Sequence, residues 1–126
     1  MRALRWTGVA GAVALAAAGC GSGGEGSASP AAARQCLTGA GFAVVDVPAS
    51  PLLHTTAELD VTRRGLRAGI YFFSSEGAAG RDAVALGQTL ASTGGGMTVQ
   101  RGRVVVGYAR RPSGAERARL EGCLSS

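Results

Sequence analysis

Two runs of alternating side chains, three residues apart, constrain this chain more than anything else in it. Ala57-Glu58-Leu59-Asp60-Val61-Thr62 puts Ala57, Leu59 and Val61 on one side and Glu58 and Asp60 on the other. Leu66 to Ser74 repeats the pattern, with Leu66, Ala68, Ile70 and Phe72 on one face and Arg67, Gly69, Tyr71 and Phe73 on the other. A period of two marks extended backbone, because successive side chains point to opposite faces. Arg63-Arg64-Gly65 between the runs is short enough for a hairpin turn, with Gly65 suited to a left-handed position. The first run is expected to turn Glu58 and Asp60 to water. The second has a partly apolar outer face, so it reads as a central strand. Tyr71 and Phe73 on that face read as covered by a helix or neighbouring chain, with a shallow platform for a partner as the alternative.

Further elements surround this hairpin. Ser29-Pro30 is a helix start, since Ser caps and Pro suits the first turn. The helix runs through Leu37 and stops at Gly39 or Gly41, with Ala33, Cys36 and Leu37 on one face. Phe42 to Val47 is a strand ended by Pro48, and residues 49–55 form a loop with Pro at 48 and 51. Ser74 or Ser75 caps a second helix to about Ala91, with Ala79, Ala83, Leu86, Gly87 and Leu90 on its inner face. Met97 to Gln100 and Arg103 to Tyr108 are strands joined through Arg101-Gly102. Ser113-Gly114-Ala115-Glu116 is a capping-box pattern opening a last helix, which turns Leu120, Cys123 and Leu124 inward. The fold class is therefore α+β: a small two-layer sandwich with a largely antiparallel sheet of about five strands, in the order α-β-β-β-α-β-β-α.

The N-terminal third carries a different signal. Met1 to Arg5 holds two arginines and no acid, and Trp6 to Ala18 is a short apolar run exiting through small residues. This is the layout of a secretory signal peptide. A bilayer-spanning helix takes about 20 apolar residues, and this run is shorter and ends in a Gly/Ser tract. Ala17-Ala18-Gly19 directly before Cys20 resembles the lipobox of bacterial lipoproteins, although Leu, usual three places before the cysteine, stands here at position 15 with Ala at 17. All 13 basic residues are Arg, among 24 Ala and 21 Gly, which resembles proteins of GC-rich genomes such as those of actinobacteria. The lipoprotein resemblance implies a diacylglyceryl group on the Cys20 sulfur, cleavage before Cys20 and a two-chain anchor in the cell membrane. It implies residues 1–19 as signal, 20–29 as lipidated cysteine and flexible Gly/Ser tether, and 30–126 as one extracytoplasmic domain. Ordinary secretion, with Cys20 as a spare thiol, stays open as the alternative.

Export bears on the other two cysteines. Cys36 and Cys123 sit near the start and end of the foldable region, and disulfides persist outside the cytoplasm. A bridge between them is expected, with two separate buried thiols as the alternative.

No motif for chemistry stands out. Gly19-Cys20-Gly21-Ser22-Gly23-Gly24 matches G-x-G-x-x-G literally, but no strand precedes it, and dinucleotide binding needs strand, turn and helix. His54 is the one histidine. It lies in a loop, without a nucleophile elbow, and Asp46, Glu58 and Asp60 are not placed beside it by any pattern. No catalytic residue, cofactor or metal site is assigned, since two cysteines and one histidine do not make a zinc spacing. After removal of Arg2 and Arg5 the charge is mildly basic, which does not argue for nucleic acid. Arg63 and Arg64, Arg101 and Arg103, and Arg110 and Arg111 mark a candidate patch for an anionic ligand if the two hairpin tips share one end of the sheet. The reading is a non-enzymatic, membrane-anchored domain that binds an envelope protein or anionic envelope component. A structural or stress-related lipoprotein without a ligand, or an enzyme accessory, remains the alternative.

Overall fold

A computed structural model describes residues 28–125, except Pro51 and the side chain of Thr93. The signal segment, Cys20 and most of the tether expected above lie outside the described residues. The elements follow in the expected order: α1 (Pro30–Gly39), β1 (Ala43–Val47), β2 (Thr55–Arg63), β3 (Leu66–Phe73), α2 (Glu76–Gly94), β4 (Met97–Arg101), β5 (Val104–Tyr108) and α3 (Gly114–Glu121). All strand pairs are antiparallel, in the spatial order β1-β2-β3-β5-β4. The α+β class, the five strands and the central place of β3 are as expected from the alternation.

Capping explains where the helices begin. Ser29 accepts from the Ala32 N–H at 3.1 Å, and Ser75 from the Ala78 N–H at 3.1 Å. Ser113 and Glu116 close a reciprocal capping box at α3. Each cap satisfies amide donors that the first turn leaves without helical partners. Two turns are set by left-handed backbone. Arg64 and Gly65 both have positive φ, which suits the right-handed twist of β2 and β3. The β4–β5 turn is Gly102-Arg103, one residue later than expected, because Gly102 supplies the positive φ at its first position.

The helices divide between the two faces of the sheet, so the domain has three layers rather than the expected two. Leu59, Val61, Ala68, Ile70, Phe72, Val104, Val106 and Tyr108 form the main core with Ala33 and Leu37 of α1 and with Leu120, Cys123 and Leu124 in and after α3. The alternate residues, Phe73 and Val105 with Tyr71, pack on Ala78, Ala79, Ala83 and Leu86 of α2. The outer face of β3 is thus covered by a helix rather than offered as a platform. Gly69 and Gly107 face each other across β3 and β5 on the α2 side. The Tyr71 ring lies over Gly69, where a Cβ would come within 2.6 Å of its hydroxyl.

Cys36 and Cys123 form the expected disulfide, with Cα atoms 5.5 Å apart. It joins α1 to the turn after α3, on the same side of the sheet. Ala33 and Leu37 are fully buried, whereas Cys36 sits on the helix shoulder and is exposed. One expectation fails at Glu58, which is 8% exposed rather than solvated. The β1–β2 loop folds across that part of the sheet. The Glu58 carboxylate accepts from the Ser50 N–H at 2.7 Å and from the Thr55 hydroxyl at 2.8 Å.

Candidate functional site

The antiparallel sheet gives the domain two poles. One holds the β2–β3 turn, the end of α1, the end of β5 and the start of α3. The other holds the root of the chain at Ala28, the end of β3, the start of α2 and the β4–β5 turn. An open cavity of about 370 Å³ at this second pole is lined by Ala28, Ser29, Pro30, Thr56, Phe72, Phe73, Ser74, Arg103 and Val104. The Ala28 N–H donates to Leu124 O at 3.0 Å, so the last described residues reach this pole as well.

This geometry corrects the expected patch. The β3–β5 register pairs Ala68 with Tyr108 and Phe72 with Val104. The two hairpin tips therefore stand at opposite ends of the sheet. Arg63 and Arg64 lie at the first pole, and Arg110 joins them with its guanidinium beside Gly65. Arg111 follows Arg110 in the chain. Arg101 and Arg103 lie at the second pole, and Arg101 is turned toward α3.

The first pole instead recruits Arg119, an α3 residue that the sequence reading did not single out. Partial burial and the nearby charges of Arg119 and Arg64 pull the Arg63 guanidinium below its ordinary pKa, against a smaller opposing effect of Glu116. The Arg63 guanidinium sits 6.0 Å from the centroid of the Phe42 ring. Its Nε packs where a Cβ on Gly41 would stand, at 3.1 Å. An open concavity of about 560 Å³ is lined by Gly41, Ala43, Thr62, Arg63, Arg64 and Gly65. Among the described residues, no carboxylate lies within ion-pair distance of Arg63, Arg64, Arg110 or Arg119. Glu116 is engaged by the Ser113 N–H at 2.9 Å. Arg63 and Arg64 in the concavity, with Arg110 beside its Gly65 wall and Arg119 acting on Arg63, present donors for phosphate or carboxylate oxygens.

Other charged groups are committed to the fold. Glu121 is 3% exposed and accepts from Tyr108 Oη at 2.7 Å, Arg117 Nε at 2.8 Å and Arg101 Nε at 3.2 Å. Burial opposes its ionisation, but hydrogen bonds from Arg117, Tyr108 and Arg101 outweigh it and hold the carboxyl below its ordinary pKa. Burial, and then the bond to Glu121, push the Tyr108 phenol up. Arg34 reaches Asp46 at 2.6 Å on the surface.

His54 has an acid beside it, though none of those weighed from the sequence. Its N–H donates to Asp82 Oδ2 at 2.7 Å, and its ring Nδ1 is 3.2 Å from Asp82 Oδ1. The His54 backbone N–H holds the Asp82 carboxyl below its ordinary pKa. The imidazole is 77% exposed, and no described hydroxyl or thiol lies within hydrogen-bond distance of it. The pair pins the β1–β2 loop to α2. Among the described residues no three His, Cys, Asp or Glu side chains gather as metal ligands, and no helix is long and apolar enough to cross a membrane. No family model matches the chain, and no curated protein or solved structure is similar to it.

Proposed function

We propose that this chain is a lipid-anchored, extracytoplasmic domain of a bacterial envelope, tethered through Cys20, that binds an anionic envelope component without catalysing a reaction. The observation that carries the binding part is the arginine pole. Arg63 and Arg64 line one concavity, Arg110 stands beside its Gly65 wall, Arg119 acts on Arg63 from α3, and the one acid acting on Arg63 there, Glu116, is spent on a helix cap. Like charges held together cost free energy, and an anion bridging them would recover it. The lipobox-like segment before Cys20 supports the anchor, and the Cys36–Cys123 disulfide fits an oxidising compartment.

Two measurements on the full chain test this. Intact mass of protein extracted from its native membrane is expected to begin at Cys20 and carry a diacylglyceryl group. A mass beginning at Gly19 or Met1 refutes the anchor. On a phosphate-bearing cation exchanger, the variant with Arg63, Arg64, Arg110 and Arg119 all changed to Gln is expected to elute at clearly lower salt than a control changed at Arg67, Arg81, Arg103 and Arg111. The same elution for both reduces the pole to generic surface charge.

A further inference from the structure

The tether root and the arginine pole lie at opposite ends of the domain. We propose that the pole takes its anion from the side away from the anchoring membrane, and that its ligand is a phosphate-rich polymer rather than the headgroups of the bilayer that holds the chain. This rests on the lipid-anchored reading above and adds to it a direction and a ligand class.

The geometry is carried by the strands. Ala28 lines a cavity with Phe73, Ser74 and Arg103, at the end of β3 farthest from Leu66. Arg63 pairs with Leu66 at the other end. The seven residue steps along β3, at about 3.4 Å each, separate the poles by roughly 24 Å. Eight residue steps separate Cys20 from Ala28, and even full extension spans at most about 28 Å. The pole reaches its own bilayer only if the domain lies down along the membrane or nearly all of that span runs back along the domain. A domain standing on its tether root turns the arginines outward.

The chemistry at the two ends differs in the same sense. At the tether-root pole Arg101 is bonded to Glu121, and Asp82, Glu58 and Glu76 lie toward that end. At the far pole Arg63 and Arg64 line an open concavity of about 560 Å³, and the Arg110 guanidinium stands beside Gly65 in its wall. Gly41 and Gly65 leave room for the Arg63 and Arg110 side chains to lie against the backbone there. Guanidiniums suit phosphate because their planar donors match its oxygens in pairs.

The test uses the full lipidated chain reconstituted into vesicles through its own anchor, with inorganic polyphosphate as probe. In neutral phosphatidylcholine vesicles the protein is expected to float with the lipid and to bind polyphosphate. Changing Arg63, Arg64, Arg110 and Arg119 to Gln is expected to weaken binding at least about tenfold and to reduce the slope of log affinity against log salt by about 3. Changing Arg103 to Gln should leave affinity within about twofold. Adding anionic lipid to the same vesicles should also leave it within about twofold, because the pole faces away. Loss of polyphosphate binding on adding anionic lipid overturns the proposal, since the anchoring bilayer then fills the pole. Flotation without polyphosphate binding overturns it and leaves the anchor standing. Polyphosphate binding without flotation overturns the anchored reading, and the orientation with it. Equal losses from the far-pole and Arg103 variants overturn the assignment of the site.

Discussion

Cutting the bridge between Cys36 and Cys123 should have a cost set by the length of chain it closes. The two residues are 87 positions apart. In the chain-entropy treatment a loop of that size restricts the unfolded chain by about 4.6 kcal/mol at 25 °C. For a domain of roughly 100 residues, each kcal/mol moves the melting temperature by about 4–8 °C, so the loss should exceed about 15 °C. The two ends are not equivalent. Cys123 is 6% exposed, whereas Cys36 is exposed. Serine at 123 buries a hydroxyl beside Leu120 and Leu124, and adds about 1 kcal/mol to the damage. Cys123→Ser should therefore melt lower than Cys36→Ser, and the double variant should lose no more than the worse single variant. Thermal melts of the full chain by circular dichroism at pH 7, with and without reductant, read all four states. Wild type in reductant should approach Cys36→Ser. Additive single losses, or a double variant within about 1 kcal/mol of wild type, would refute the argument, because the cysteines would then act independently.

Two other perturbations follow from the packing. Glu121→Gln should cost about 1–3 kcal/mol by weakening charge-assisted bonds to Arg117, Arg101 and Tyr108, and Glu121→Ala about 3–5 kcal/mol by stranding a buried phenol. Because the folded state holds Glu121 below its ordinary pKa, its contribution is complete above about pH 4.3 and is lost as pH falls through the folded value. Urea midpoints from pH 7 to pH 3 should therefore fall more steeply for wild type than for Glu121→Gln; parallel curves would refute the assignment. Gly69→Ala should cost about 1–3 kcal/mol, since its Cβ would meet the Tyr71 hydroxyl at 2.6 Å. That penalty should largely vanish in a Tyr71→Ala background, and a double-mutant cycle without coupling would sink the explanation.

Much of the architecture was legible because it is written in short-range patterns. The alternation over 57–73 marks two strands and their hairpin, which the structure keeps, and Ser29, Ser74 or Ser75, and Ser113 mark the helix starts, with Ser75 the cap of α2. What escaped depends on distant chain. Glu58 alternates like a solvent-facing residue, and only the fold of the β1–β2 loop, through Ser50, buries it. Asp82 and His54 are 28 residues apart and meet because that loop lies beside α2. Arg119 reads as one more exposed helix residue until α3 starts beside the β2–β3 turn. The separation of the hairpin tips did leave a signal. A helix of 19 residues is about 28 Å long, enough to carry the chain back along the whole of β3. A hairpin entered after such a return must turn at the opposite end from the previous one.

That return also explains how one type of side chain serves two purposes. Arginine supplies every basic residue in the sequence, so residue type cannot separate structural from binding positions. Position relative to the carboxylates does. Along α3, Arg117 lies one helical turn before Glu121 and is drawn into a buried network, while Arg119 falls on the side facing Arg63. In β4, Arg101 shares the face of Tyr108 and reaches the same carboxylate. A buried Glu121 needs these partners, because an uncompensated charge there would cost several kcal/mol. Arg63, Arg64, Arg110 and Arg119 meet no such demand, and the charges of Arg119 and Arg64 act against the Arg63 guanidinium. Residues that weaken the fold without a compensating contact inside it are where a ligand is to be sought. Here Arg63 and Arg64 line one concavity at the first pole.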